Sequence, residues 1–194
     1  QQQNELPRLH RIAVGDHLIL GGDNLDLALA HKLEEKISAK TPLAPAQWNA
    51  LVRRCQQAKE TLLGLQPPAG LTVHLPGTGA RLLGGAIQVE LLREEALALL
   101  VDGFLPRTGY AEPPLLHGSG FREFGLPFAP DAAISRYLAE FLRQHRGTAA
   151  AERQDHPWPE RPDKVLFNGG FFASPDLRER LLEVLGSWFN EDDP

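Results

Sequence analysis

Gln56 and Lys59 fall three residues apart, so a helix through them carries both on one face, one turn apart. Two Gly-Gly pairs bracket that face along the chain, Gly21-Gly22 before it and Gly169-Gly170 after it. Glycine has no Cβ to stand between backbone and ligand, so each pair lets a ligand or another backbone come close. Two open turns with an ammonium between them suit the holding of a nucleotide. The same residues also fit a plainer arrangement of two tight turns and a solvated lysine.

Other chemistries find less in the chain. The seven histidines, at positions 10, 17, 31, 74, 117, 145 and 156, have no helical spacing of three or four and no cysteine partners, so no metal site is expected. Asp23-Asn24-Leu25-Asp26 has the look of a calcium-loop head but lacks the central glycine and the glutamate at position twelve. His117-Gly118-Ser119-Gly120 lacks glycine two residues to either side of its serine, so it is no nucleophile elbow. The chain has no G-x-x-x-x-G-K loop, and no catalytic residue is assigned. Cys55, on an apolar helix face, reads as a small core residue rather than a nucleophile.

The elements that must position these groups follow from periodicity. Residues 9–14 read as a strand, Gly15-Asp16 as a turn, and residues 17–20 as a short apolar edge into Gly21-Gly22. Asp23 or Asn24 then caps a helix whose stripe is Leu25, Leu29, Leu33 and Ile37. A proline-marked link over 41–45 leads to a second helix with Trp48, Leu51, Val52, Cys55 and Leu62 on one face, stopped at Gly64. From Leu71 the period becomes two: Leu71, Val73 and Leu75 alternate with Thr72 and His74, and residues 80–83 and 86–91 return as strands around Gly84-Gly85. A small antiparallel sheet is predicted, then a helix over 93–104 with Leu97, Leu100, Val101 and Phe104 on one side.

The stretch bounded by Pro106 and Pro130 is rich in proline and glycine and reads as a long surface excursion. Its Phe121, Phe124, Leu126 and Phe128 are too apolar to stand free in water. Asp131 is expected to cap a helix carrying Ile134, Leu138, Phe141 and Leu142, and residues 147–161 read as disordered. Lys164-Val165-Leu166-Phe167-Asn168 reads as a buried strand ending in Gly169-Gly170. Ser174-Pro175 opens a last amphipathic helix with Leu177, Leu181, Leu182, Leu185, Trp188 and Phe189.

With 194 residues, 42% of them hydrophobic and 23% charged, the chain can bury a true core. A net charge of -5 gives no electrostatic footprint for nucleic acid or an anionic membrane. No apolar run is long enough to span a bilayer, and no leader pattern opens the chain. The single cysteine suits a reducing cytoplasm. The chain contains no methionine, even at position 1, so it is expected to be a piece of a longer or processed protein.

Three segments in order resemble the second lobe of the actin-like ATPase domain of DnaK-type heat-shock chaperones. Gly15-Asp16-His17-Leu18-Ile19-Leu20-Gly21-Gly22-Asp23-Asn24-Leu25-Asp26 is similar to the family's GD-x-x-LGGEDFD; Arg53-Arg54-Cys55-Gln56-Gln57-Ala58-Lys59-Glu60-Thr61-Leu62 is similar to R-x-x-CE-x-AK-x-x-L; and Val165-Leu166-Phe167-Asn168-Gly169-Gly170, with Pro175 beyond, is similar to VLVGGSTRIP.

The resemblance implies an α/β fold, an actin-like (ribonuclease H-like) lobe with a mixed sheet and helices plus a small helical and antiparallel part. The base would comprise residues 1–39 and 105–194, with 106–130 inserted, and the smaller part residues 40–104. It implies the adenosine side of an ATP cleft, with Gly21, Gly22, Gln56, Lys59, Gly169 and Gly170 around ATP or ADP, and magnesium held only through the first lobe of the same parent chain. The family's acidic and glycine-threonine phosphate loops are absent here, so hydrolysis by this chain is not expected. The family's arginine after the lysine is Glu60, its next helix serine is Leu63, and STR is Phe171-Phe172-Ala173. Each missing cation stack weakens adenosine binding by about 1 to 2 kcal/mol. The alternative is a non-catalytic interaction scaffold that has lost nucleotide binding and meets protein partners through the Pro106 to Pro130 excursion.

Overall fold

The computed structural model describes residues 11, 13–37, 43–76, 87–115, 130–151 and 162–189. These form five α-helices and one two-stranded antiparallel sheet. In chain order they are α1 (Gly22–Ile37), α2 (Pro45–Leu62), β1 (Gly70–Leu75), β2 (Ile87–Leu92), α3 (Arg93–Phe104), α4 (Ile134–Ala151) and α5 (Pro175–Trp188), with a 3-10 turn Gly170–Ala173 before α5.

The apolar stripes fold as their spacing predicts. Leu25, Leu29 and Leu33 of α1 are buried against Leu51, Cys55 and Leu62 of α2, all at 1% exposure or less. Burying a leucine side chain is worth about 1.5 to 3 kcal/mol, so these faces dominate the local energetics. In the hairpin Val73 pairs with Val89 and Leu75 with Ile87, which sends Val73, Leu75, Val89 and Leu91 to the covered face. Leu100 and Phe104 of α3 complete the core with Leu177 and Leu181 of α5.

Three helices open in the same way. The residue before each helix, Gly21, Ala44 or Leu92, has no side chain able to cap. Instead a side chain one turn in accepts its amide: Asn24 Oδ1 from Gly21 N–H (2.6 Å), Gln47 Oε1 from Ala44 N–H (3.1 Å) and Glu95 Oε2 from Leu92 N–H (3.0 Å). α1 therefore begins at Gly22, ahead of the Asp23 or Asn24 cap that the sequence predicts. Likewise α4 begins at Ile134, beyond Asp131. The Asp131 carboxylate instead accepts Ala133 N–H (2.9 Å), Leu115 N–H (2.8 Å) and the Arg136 guanidinium (2.9 Å).

Several expectations are corrected. Residues 17–20 are irregular rather than an edge, residues 13 and 14 at the end of the expected 9–14 strand are irregular too while residues 9, 10 and 12 lie outside the described ones, and residues 164–168 form no strand. Val165 and Phe167 are half-buried against the core, while Leu166 between them is 95% exposed. A strand needs a neighbour for its amides and carbonyls, and among the described residues none of these segments has one. The predicted disorder over 147–161 fails at its start, because α4 continues through Ala151. Ser174 stands before α5 and Pro175 at its first position, yet the serine side chain makes no capping bond. The strand at 80–83 and Phe121, Phe124, Leu126 and Phe128 lie outside the described residues.

Candidate functional site

The end of α2, the 3-10 turn and the start of α5 enclose a cleft of about 170 Å³. Lys59, Glu60, Leu63 and Gly64 line it from the α2 side, Gly170, Phe171, Ala173 and Ser174 from the turn, and Leu25 and Leu177 close the back. The walls meet because Arg93 reaches both: its Nε donates to the Leu62 carbonyl (3.1 Å) and its Nη2 to both oxygens of Asp176 (2.8 and 2.9 Å). Phe171 is held by edge contacts with Phe104 (6.4 Å) and Phe172 (4.8 Å), which keep its ring at the cleft wall.

Of the six residues predicted to hold a nucleotide, Lys59 and Gly170 line this cleft. Gly22 is joined to it through Lys59, whose Nζ donates to the Gly22 carbonyl (3.1 Å). Gly21 donates to Asn24 before α1, and Gln56 is exposed on α2; neither lines the cleft. Gly169 sits just outside with φ +84° and ψ 162°, a conformation essentially confined to glycine. Gly170 has ordinary φ and open space where a Cβ would be.

The Lys59 ammonium is not presented to solvent. It lies 2.7 Å from Asp26 Oδ1, with the two side chains 14% and 7% exposed. Burial pushes the Asp26 carboxyl above the usual carboxylate range, the Lys59 bond and charge pull it down, and Asp23 and Glu60 push it up further. Cys55 lies in the same region at 0% exposure, and desolvation, helped by Asp26, drives its thiol up to about 12. It stays protonated and unreactive, as its place on the apolar stripe predicts.

Ser174 stands apart. At 8% exposure its Oγ is buried with no hydrogen-bond partner, and the residue lines the cleft. An unmet buried hydroxyl costs about 1 to 3 kcal/mol, which a ligand polar atom in the cleft would relieve.

A larger groove of about 490 Å³ runs between Val14, Leu18 and the α4 face of Ile134, Leu138 and Phe141. It contains none of the six predicted positions. Among the described residues no group of three or more His, Cys, Asp or Glu side chains could hold a metal ion, and no helix is long and apolar enough to cross a membrane.

Arg93 and the part played by Ser174 escape a reading of the sequence, while Asp26 leaves a signal there. Arg93 gives no local signal, since its partners lie 31 and 83 positions away. Ser174 is legible as a helix start but not as an unsatisfied hydroxyl. Asp26, a carboxylate beside the buried α1 stripe, is a signal in itself, because such a group needs a partner to stay folded. No family model matches the chain, and no curated protein or solved structure matches it either.

Proposed function

We propose that this chain is the adenosine-side lobe of a chaperone-like, actin-like ATPase, not catalytic alone, whose α2 to α5 cleft receives the base of ATP or ADP. One juxtaposition carries the reading. Lys59, Glu60 and Leu63 align with the adenosine-binding helix of the DnaK-type motif, Gly170, Phe171 and Ala173 align with its glycine-pair segment, and the two sets line one cleft although over a hundred residues separate them. Phe171 offers a ring face where the family uses a cation, and Ser174 Oγ offers one polar contact. Phosphates and magnesium would be held by a first lobe of the same parent chain, and cytoplasmic localisation accompanies this reading.

Titration of adenosine into the isotope-labelled chain tests it. Amide resonances of Gly64, Gly170, Phe171 and Ser174 are expected to move while those of Val73 and Val89 stay, and Ser174→Ala is expected to weaken binding several-fold. No movement at the cleft rejects the reading.

A second reading, an interaction scaffold without nucleotide, is favoured by one observation: the Lys59 ammonium is already engaged by Asp26 and the Gly22 carbonyl.

A further inference from the structure

We propose that the open edge of β1 takes up an extended, carboxylate-bearing peptide segment of a partner protein as a third strand, laid over α2. This surface is separate from the nucleotide cleft and does not depend on that reading.

The register fixes which backbone groups are free. Arg93 N–H donates to the Ala69 carbonyl (2.8 Å), one step beyond the Gly70 to Leu92 pair at the end of the ladder. Hydrogen-bonded and non-hydrogen-bonded pairs alternate in an antiparallel ladder, so Leu71, Val73 and Leu75 exchange bonds with Leu91, Val89 and Ile87. Gly70, Thr72 and His74 therefore turn their N–H and C=O away from β2. The facing strand obeys the same alternation. The Glu90 carbonyl and the Leu92 N–H, opposite Thr72 and Gly70, are met from outside the sheet by Lys36 Nζ (3.2 Å) and Glu95 Oε2 (3.0 Å).

The two edges are thus unlike. Lys36 and Glu95 lie across the edge of β2, and charged side chains there guard against a further strand. Thr72 and His74 are exposed, and among the described residues no group meets their outward N–H and C=O. A row of unmet donors and acceptors on a strand edge is a template for another strand.

The vacant place has a floor. A groove of about 280 Å³ runs along residues 71–74 and is lined on its other side by Arg54, Gln57, Ala58 and Thr61 of α2. Ala58 is buried in the same core as Val73 and Leu75, so α2 lies on the covered face of the sheet. Side chains of an added strand that point to that face come down on this helix. Arg54 is the one fixed charge in the lining: its Nη1 bonds to the neutral Gln57 Oε1 (3.2 Å), and no carboxylate lies among the lining residues. An aspartate or glutamate on the α2-facing side of the added strand answers it. A second copy of β1, with the sequence Gly-Leu-Thr-Val-His-Leu, brings no such carboxylate, so a partner peptide suits the groove better than a pairing of two β1 edges.

Titration of the isotope-labelled chain with a capped peptide the length of β1, alternating threonine and valine with a glutamate for the central valine, tests the inference. The Thr72 and His74 amides are expected to exchange quickly in the free chain, then to move and become protected as the peptide binds. The same peptide methylated at every backbone nitrogen should not bind. Thr72→Pro removes an N–H that the ladder does not use, so the hairpin should persist while affinity falls about tenfold. Arg54→Glu, at an exposed position of α2, serves even if that proline disturbs the hairpin. It should weaken the glutamate peptide about tenfold and favour a peptide with lysine in its place. Amides protected before peptide is added, amides that do not move, or equal binding of the methylated peptide overturns the inference. An Arg54→Glu chain with unchanged preference overturns the carboxylate-bearing partner. Edge amides that shift with protein concentration alone, as the chain doubles in mass, overturn it in favour of a second copy.

Discussion

Lys59 Nζ lies 2.7 Å from Asp26 Oδ1, and the same ammonium reaches the Gly22 carbonyl at 3.1 Å. One side chain of α2 thereby closes the first turn of α1 and neutralises a buried carboxylate. Lys59→Met leaves Asp26 buried without its partner and is expected to cost about 3 kcal/mol. The double variant Asp26→Leu/Lys59→Met should recover most of that loss, since an apolar pair needs no desolvated charges. Urea denaturation of the three chains measures both effects, and a double variant no better than the single one would sink the argument.

Arg93 joins the two walls of the cleft through Leu62 and Asp176. Its ion pair is partly buried, at 28% and 25% exposure. Arg93→Ala is expected to lower stability by about 1 to 2 kcal/mol, the worth of a charged hydrogen bond in such a setting. Arg93→Lys keeps the charge but not the fork that reaches two partners, so it should restore only part of the loss. Unfolding midpoints of the two variants decide the point.

The two adjacent glycines should behave differently. Gly169→Ala forces a side chain into φ +84°, ψ 162° and is expected to cost about 2 kcal/mol. Gly170→Ala meets open space at ordinary φ and should change stability by no more than about 0.5 kcal/mol. Thermal unfolding of each variant is a direct comparison, and equal costs would contradict the backbone geometry.

Acid stability should depend on Glu95. The Lys36 ammonium at 2.6 and 2.7 Å, together with the Leu92 amide, holds its carboxyl below the ordinary 4.5. A depressed folded value contributes stability that is present above pH 4.5 and lost as pH falls through the folded value. Glu95→Gln keeps an acceptor for Leu92 N–H but no charge to titrate. Its unfolding midpoint is expected to vary less than that of the native chain below pH 4.5. Parallel curves for the two proteins would exclude this contribution.

Asp26 opposes Glu95 in the same acid range. Its carboxyl is raised by burial, so on its own it favours the folded chain below the ordinary carboxylate value of 3.8 and loses that advantage as pH rises through the folded value. The net acid limb is the sum of the two.

What the sequence alone determined is the set of elements whose hydrogen bonds close within themselves or across one short connection. Leu25, Leu29 and Leu33 announce α1 by spacing, residues 93–104 announce α3 to the residue, and Val73 and Val89 announce a two-faced hairpin. A helix carries its ladder internally, so local pattern suffices. Residues 164–168 have the apolar content of a strand, but a strand exists only with a neighbour, and Leu166 is left 95% exposed. The cleft belongs to the same class of outcome. Lys59 and the glycine pair are visible in the sequence as open turns around an ammonium. That Asp26 takes the charge, that Arg93 draws α2 toward α5, and that Ser174 keeps an unmet hydroxyl between them are decided by packing. Each depends on groups made neighbours only after the apolar faces have closed, and local spacing carries no record of that contact.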